Sequence, residues 1–181
     1  MCKLCNTKPV YEFTNKRKLC KACFLHYFQK KILYTIRKFG MIKQGDVVGY
    51  SKSGDFKGIV LEYTLKSINS KIGFELTKSG KNADKTAVDS SIDSEAESIL
   101  KTLVNGKVSE LKNNLPVVGN TVKPMYLFLD EEILLYAKLM GLKFRKKAEK
   151  KTKIEEFEDE FERKHPEAKR AIVNSLLELY N

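Results

Sequence analysis

The chain places all four of its cysteines in its first 23 residues as two close pairs, Cys2-Lys3-Leu4-Cys5 and Cys20-Lys21-Ala22-Cys23, with residues 6 to 19 between them. Each C-x2-C pair can form a knuckle, and two knuckles joined by a folded-back segment can set four thiolates around one tetrahedral ion. The pattern predicts a structural zinc ribbon with Cys2, Cys5, Cys20 and Cys23 as ligands. His26 follows closely, but four thiolates already complete the coordination, so it reads as a surface residue. In a reducing compartment such pairs hold metal in preference to forming disulfides. Between them, Tyr11 and Phe13 alternate as in a short strand, and Asn15 to Lys18 reads as the turn of the ribbon.

The charge is concentrated beside these cysteines. Residues 1 to 44 carry eleven Lys/Arg against Glu12 alone, so nearly all of the chain's net +11 lies there. A cationic module on a nearly neutral body suits a polyanion, RNA or DNA, with a lysine-rich solvated surface as the plain alternative. From Phe24, the residues Leu25, Phe28, Ile32, Ile36 and Phe39 fall at helical spacing, Lys30 and Arg37 point away, and Lys31 and Lys38 flank them. Gly40 ends the helix. Candidate RNA contacts are Lys16, Arg17, Lys18, Lys21, Lys30, Lys31, Arg37 and Lys38. No apolar run approaches the roughly 20 residues of a membrane span and no apolar signal core precedes the cysteines, so a soluble cytoplasmic protein is expected.

The remainder predicts an α/β fold, a remnant parallel sheet with flanking helices. Expected strands run from Asp46 to Tyr50, Ile72 to Leu76, near Thr86 to Val88, and Met125 to Leu129. The implied division is a zinc ribbon over 1–24, a basic connecting helix over 25–44 and the α/β domain over 45–181. Ser51-Lys52-Ser53-Gly54-Asp55 lies between a strand and a helix through Ile59 and Leu65, where backbone N–H groups can approach a phosphate. It matches neither G-x-x-x-x-G-K-[ST] nor G-x-G-x-x-G, and a plain strand-to-helix turn is the alternative. A helix from Asp93, capped by Asp93 or Ser94, buries Ala96, Ile99, Leu100 and Leu103 and ends at Asn105-Gly106. Asp130-Glu131-Glu132 opens another helix that runs to Gly141. Ile154, Phe157 and Phe161 keep helical spacing within an acidic run, and a last helix spans roughly Ala168 to Tyr180.

This order of segments resembles the archaeal and eukaryotic tRNA 2-thiolation enzymes, PP-loop ATPases of the TtuA type, over nearly the whole chain. The likeness rests on the cysteine pairs with Leu19-Cys20-x-x-Cys23-Phe24, the aromatic helix ending Thr35-Ile36, and Val122-Lys123-Pro124-Met125. Asp130-Glu131-Glu132 through Leu135-Tyr136-Ala137, the closing Glu160 to Pro166, and Asp93-Ser94-Glu95-Ala96-Glu97 with Leu103 to Lys107 extend it. The resemblance implies a Rossmann-like PP-loop fold of the HUP type. In such enzymes a loop of the form S-G-G-K-D-S holds ATP while a tRNA uridine is adenylated, and sulfur then displaces AMP. In the archaeal ones an iron–sulfur cluster assists. The zinc ribbon is expected to help grip the tRNA.

The chain departs from that pattern where the chemistry lies. Only Ser51 and Asp55 stand in register with the loop, its adjacent glycines being replaced, and Lys52 and Ser53 put side chains where backbone must approach phosphate. Only residues 66 to 85 stand where a longer segment with cluster cysteines is expected, and no cysteine follows Cys23. The resemblance therefore implies a shortened, divergent member with zinc and no iron–sulfur cluster. Ser51, Ser53, Gly54 and Asp55 are its remaining candidates for ATP, and Asp55 its one catalytic candidate. The leading expectation is a pseudoenzyme that binds tRNA in thiouridine modification at the wobble position, beside a catalytic thiolation subunit or a sulfur-carrier protein. Alternatives are an active ATP-dependent tRNA sulfurtransferase that uses a sulfur carrier without a cluster, and a zinc-ribbon protein-interaction module. The oligomeric state stays open.

Overall fold

A short antiparallel ribbon leads directly into a long helix, and that helix packs against an α/β body. The computed structural model describes residues 1–50, 53–78, 82–145, 160–161, 163–165 and 167–180. Strand β1 (Tyr11–Glu12) pairs with β2 (Lys18–Leu19), Tyr11 opposite Leu19 and Glu12 opposite Lys18. The turn between them closes through Phe13 N–H to Arg17 O at 2.9 Å and Lys16 N–H to Phe13 O at 2.8 Å. Asn15 Oδ1 accepts the Arg17 N–H at 3.1 Å, the local side-chain bond that favours asparagine in turns.

Helix α1 (Lys21–Lys38) starts inside the ribbon, with Cys20 as its N-cap residue. It buries Phe24, Phe28, Ile32, Thr35 and Ile36, the i, i+4, i+8 stripe its sequence spells out. Arg37 and Lys38 occupy its last turn, where cations suit the negative end of the helix dipole. Strand β3 (Val47–Tyr50) follows, then α2 (Phe56–Ile72), which ends on Gly73 in the left-handed conformation at φ 83. Strand β4 (Glu75–Thr77) therefore begins later than expected, because Ile72 still belongs to the preceding helix.

Strand β5 (Lys85–Ala87) leads to α3 (Ile92–Val104). Its cap is Ser91, not Asp93 or Ser94: the Ser91 side chain accepts from Ser94 N–H while the Ser94 hydroxyl oxygen accepts the Ser91 N–H at 2.9 Å. A 3-10 helix, Val108–Asn114, precedes β6 (Val117–Val118) and β7 (Thr121–Val122), and α4 (Asp130–Leu139) and α5 (Ala168–Leu179) complete the described elements. The sheet order is β4-β3-β5-β7-β6, parallel except for the β6–β7 hairpin at its edge. The strand expected at Met125 to Leu129 is a turn segment, held by Tyr126 N–H to Lys123 O at 3.0 Å and Phe128 N–H to Met125 O at 2.9 Å. Its apolar residues are buried as core plugs, and Thr121–Val122 takes the place in the ladder.

One apolar cluster unites the ribbon, α1, α2, the sheet and α4, including Cys2, Leu19, Phe24, Phe28, Val48, Leu61, Phe128 and Tyr136. Phe28 stacks on Tyr136 with ring centroids 4.0 Å apart, so the helix that carries the ribbon is anchored in the core of the body. A second cluster joins α3, the 3-10 helix and α5 around Tyr126 and Leu129. The expected helix through Ile154 and Phe157 lies outside the described residues. Among the described residues no helix is long and apolar enough to cross a membrane.

Candidate functional site

The two knuckles bring all four thiols together. The Sγ atoms of Cys2, Cys5, Cys20 and Cys23 lie within 4.8 Å of one another, with Cys5 to Cys20 at 3.3 Å and Cys5 to Cys23 at 3.6 Å. Zinc–sulfur bonds of about 2.3 Å around a tetrahedral ion put sulfurs roughly 3.8 Å apart, so the arrangement fits a zinc ribbon. The first knuckle is shaped by Cys2 N–H to Thr7 O at 2.9 Å and Asn6 N–H to Cys2 O at 3.1 Å, with Asn6 at φ 56. The second is the first turn of α1. Hydrogen bonds from the Thr7 hydroxyl and then the Cys23 N–H hold the Cys20 thiol down at about 6, and the Leu4 N–H lowers Cys2. Cys23 is pushed up to about 12 by the thiols it faces, Cys20 first. Four sulfurs that close compete for protons, and a bound cation would resolve the competition by holding them as thiolates.

The ribbon is fastened to the body by polar contacts. Tyr11 Oη donates to Glu131 Oε1 at 2.6 Å, and Thr14 is hydrogen-bonded to Glu167. Arg17 lies over the Phe13 ring at 4.6 Å and the Tyr27 ring at 5.3 Å. Lys31 faces Glu132 across α1 and α4, with burial lowering its ammonium to about 8. Two of the eight basic candidates, Arg17 and Lys31, are thus engaged within the protein. Lys18 pairs with Glu12 at 2.9 Å but stays exposed, and Lys16, Lys21, Lys30, Arg37 and Lys38 are exposed as well. The open cations occupy the ribbon tip and the outer face of α1.

The loop after β3 forms a separate site at the carboxyl edge of the sheet. Asp55 caps α2, its Oδ1 accepting the Gly58 N–H at 2.9 Å. Ser53 Oγ lies 2.7 Å from Asp55 Oδ1 and 3.0 Å from Asp89 Oδ2, which joins this loop to the one after β5. Ser51 lies outside the described residues. A cleft of about 510 Å³ opens here between Ser53, Gly54 and Ile59 on one side and Lys143, Phe144 and Arg145 on the other, tied by Arg145 N–H to Gly54 O at 2.8 Å. The sequence reading missed Asp89, Lys143 and Arg145 as neighbours of this loop. Nothing in their local pattern points to it, since the three meet it only through the tertiary fold.

Beside the cleft, Lys57 pairs with Asp130 at 3.2 Å and the Ser91 hydroxyl donates to the same carboxylate. Burial raises the Asp130 carboxyl, offset by the Lys57 charge. Lys169 reaches Asp93 at 2.8 Å, and Asp93 Oδ2 accepts the Asp130 N–H at 2.7 Å. These groups lock the starts of α2, α3, α4 and α5 together at one end of the sheet.

Fold and site together define a protein with a four-cysteine ribbon that fits a metal ion, joined to a Rossmann-like, PP-loop-type α/β sheet. The chain is 30% identical over 136 residues to the cytoplasmic tRNA 2-thiolation protein 1 of Meyerozyma guilliermondii, a match covering 74% of this chain and 35% of the relative. It is 27% identical over 145 residues to the protein of the same name from Arabidopsis thaliana, covering 79% of this chain and 38% of that one. A solved structure of the U34-tRNA thiolase NcsA from Methanococcus maripaludis with its 4Fe–4S cluster superposes with a TM-score of 0.80 at 17% identity, covering 98% of this chain and 86% of the thiolase. No known protein-family model matches the chain. The protein belongs to the tRNA 2-thiolation PP-loop family. The chain spans little more than a third of the length of these two curated relatives.

The comparison corrects one expectation. The absence of an iron–sulfur cluster was expected because no cysteine follows Cys23, yet the structurally similar thiolase carries a 4Fe–4S cluster. The four clustered cysteines of the ribbon are themselves a ligand set that could hold one. Thiolate ligands serve zinc and iron–sulfur centres alike, so cysteine position alone could not exclude iron.

Proposed function

We propose that this protein binds tRNA in the uridine 2-thiolation pathway in the cytoplasm, gripping it with the metal-held ribbon and the outer face of α1. The carrying observation is that four of the six open cations, Lys21, Lys30, Arg37 and Lys38, lie on the element whose first turn carries Cys23 of the cysteine cluster and whose inner face is anchored by Phe28 on Tyr136. A metal bound there would cross-link the ribbon, and Lys16, Lys18, Lys21, Lys30, Arg37 and Lys38 would then present charge in a fixed pattern. Cations so arranged attract phosphates by displacing condensed counterions. The names of the relatives supply tRNA as the polyanion and the cytoplasm as the location.

In this reading the loop after β3 has lost its catalytic competence. Asp55 and Ser53 take up space and N–H donors at the start of α2 that phosphate oxygens would otherwise use. The protein then works beside a catalytic thiolation subunit or a sulfur-carrier protein. The test is tRNA binding across a salt series, with Lys16, Arg17 and Lys18 replaced together by alanine. Binding with a steep salt dependence that the triple variant weakens supports the reading, and salt-insensitive or absent binding defeats it.

A second reading, an active ATP-dependent sulfurtransferase, is favoured by the cleft that Lys143 and Arg145 share with the Ser53-Gly54 loop. Those two cations could stand in for donors the loop has lost. Calorimetric titration with ATP decides: binding that disappears in Asp55→Ala supports it, and no heat at millimolar nucleotide rejects it.

A further inference from the structure

The outer face of α1 carries more than charge. His26, Lys30, Tyr34 and Arg37 recur at four-, four- and three-residue intervals, so they line one face of the helix over about 17 Å. All four are exposed. Phe24 and Phe28 on the inner face are fully buried, whereas Tyr34 is 51% exposed. Its ring is accompanied by Lys38, whose Nζ lies 6.0 Å from the Tyr34 centroid and 5.2 Å from that of Phe39. The helix contains no acidic residue, and among the described residues no ion pair engages Lys30, Arg37 or Lys38.

We propose that Tyr34 is a stacking platform for a nucleobase of single-stranded RNA, with Lys30, Arg37 and Lys38 holding the phosphates on either side. An aromatic ring among cations along a nucleic-acid track provides a π-face for a base and positive charge for its backbone at once. An acidic peptide would match the cations and leave the ring wet. The inference deepens the tRNA-binding reading and rests on it, naming unpaired nucleotides as what this face takes. It also gives the stripe a direction: it begins one turn after Cys23, so a strand laid along it starts at the metal centre and runs towards Phe39.

The experiment is fluorescence anisotropy of the full, metal-loaded chain with a labelled oligouridylate of about twelve nucleotides, repeated over a salt series. Tyr34→Ala is expected to weaken binding about tenfold with an unchanged salt slope, because stacking releases no counterions. Tyr34→Phe keeps the ring and should bind like the wild type. Lys30→Gln or Arg37→Gln should instead flatten the slope by about 0.7 each. Wild-type affinity in Tyr34→Ala overturns the proposal, as does a loss in Tyr34→Phe equal to that in Tyr34→Ala. Inorganic polyphosphate is the charge-only control, and a matching loss of polyphosphate binding in Tyr34→Ala would also overturn it. A wild-type chain that binds neither oligouridylate nor tRNA at low salt defeats the tRNA reading and this one together. Wild-type binding with no effect of Tyr34→Ala defeats only this one.

Discussion

Lys31 on α1 and Glu132 on α4 meet with Nζ 3.1 Å from Oε2, and the glutamate is fully buried. The same carboxylate accepts the Tyr27 hydroxyl at 3.0 Å, the Leu129 N–H at 2.9 Å and Arg170 Nη2 at 3.3 Å. One side chain thus holds the ribbon helix, the start of α4 and the first turn of α5. Removing one partner of a buried pair strands the other, which generally costs about 3–5 kcal/mol. Glu132→Ala should lower stability by about that much in urea unfolding at fixed metal content, and a change below about 1 kcal/mol would show the carboxylate to be dispensable.

The same pair predicts a pH dependence. Burial lowers Lys31 to about 8 against 10.5 for an ordinary lysine, so between those values the unfolded chain binds a proton that the folded chain does not. Stability rises with pH wherever the unfolded state binds more protons. The Lys31 contribution should therefore grow as pH climbs from about 8 towards 10, by on the order of 1 kcal/mol. Lys31→Met, which keeps the stem and leaves Glu132 to Arg170 and Tyr27, should lack that rise. Parallel wild-type and variant profiles would reject the assignment.

How much of this was readable beforehand depends on whether a feature is local. The ribbon was legible because C-x2-C spacing fixes its geometry within a few residues, and α1 because its apolar stripe repeats over 18 residues. Strand β3 and the loop before α2 could be placed for the same reason. The Met125 to Leu129 segment misled because a short apolar run looks alike in a strand and in a buried turn, and only pairing with β5 separates them. Glu132 is legible only as part of the acidic start of a helix, and the apolar stripe of α1 sets the outward Lys30 and Arg37 apart from the flanking Lys31 and Lys38. That Lys31 turns inward is decided by Glu132 of α4, more than ninety residues away in the chain, whereas Arg17 settles on the nearby Phe13 and Tyr27 rings.

The β3–α2 loop offers a steric test. A Cβ on Gly58 would lie 1.7 Å from Ser53 Oγ and 3.2 Å from Asp89 Oδ2. Gly58→Ala should therefore be destabilising although alanine favours helices, and Ser53→Gly should relieve most of the cost. Additive effects of the two substitutions in a double-mutant cycle would show that Ser53 does not fill this space. Asp55→Ala removes the α2 cap and should cost about 1 kcal/mol by itself.

The metal centre predicts a stoichiometry. Elemental analysis of the purified chain should find zinc or iron in fixed ratio to protein, with visible absorbance in the iron-loaded case, and Cys20→Ser should lose it. The same substitution should expose the ribbon to proteolysis while α3 and α5, in a separate cluster, resist longer. Retention of full metal content by Cys20→Ser would place the ion elsewhere.

The most direct test of the account is tRNA affinity of metal-loaded and chelator-stripped protein over a salt series. The account predicts nanomolar-to-micromolar binding by the loaded form, a steep fall with salt, and loss of most of that affinity on stripping. Equal affinity with and without metal, or no tRNA binding at low salt, would contradict it.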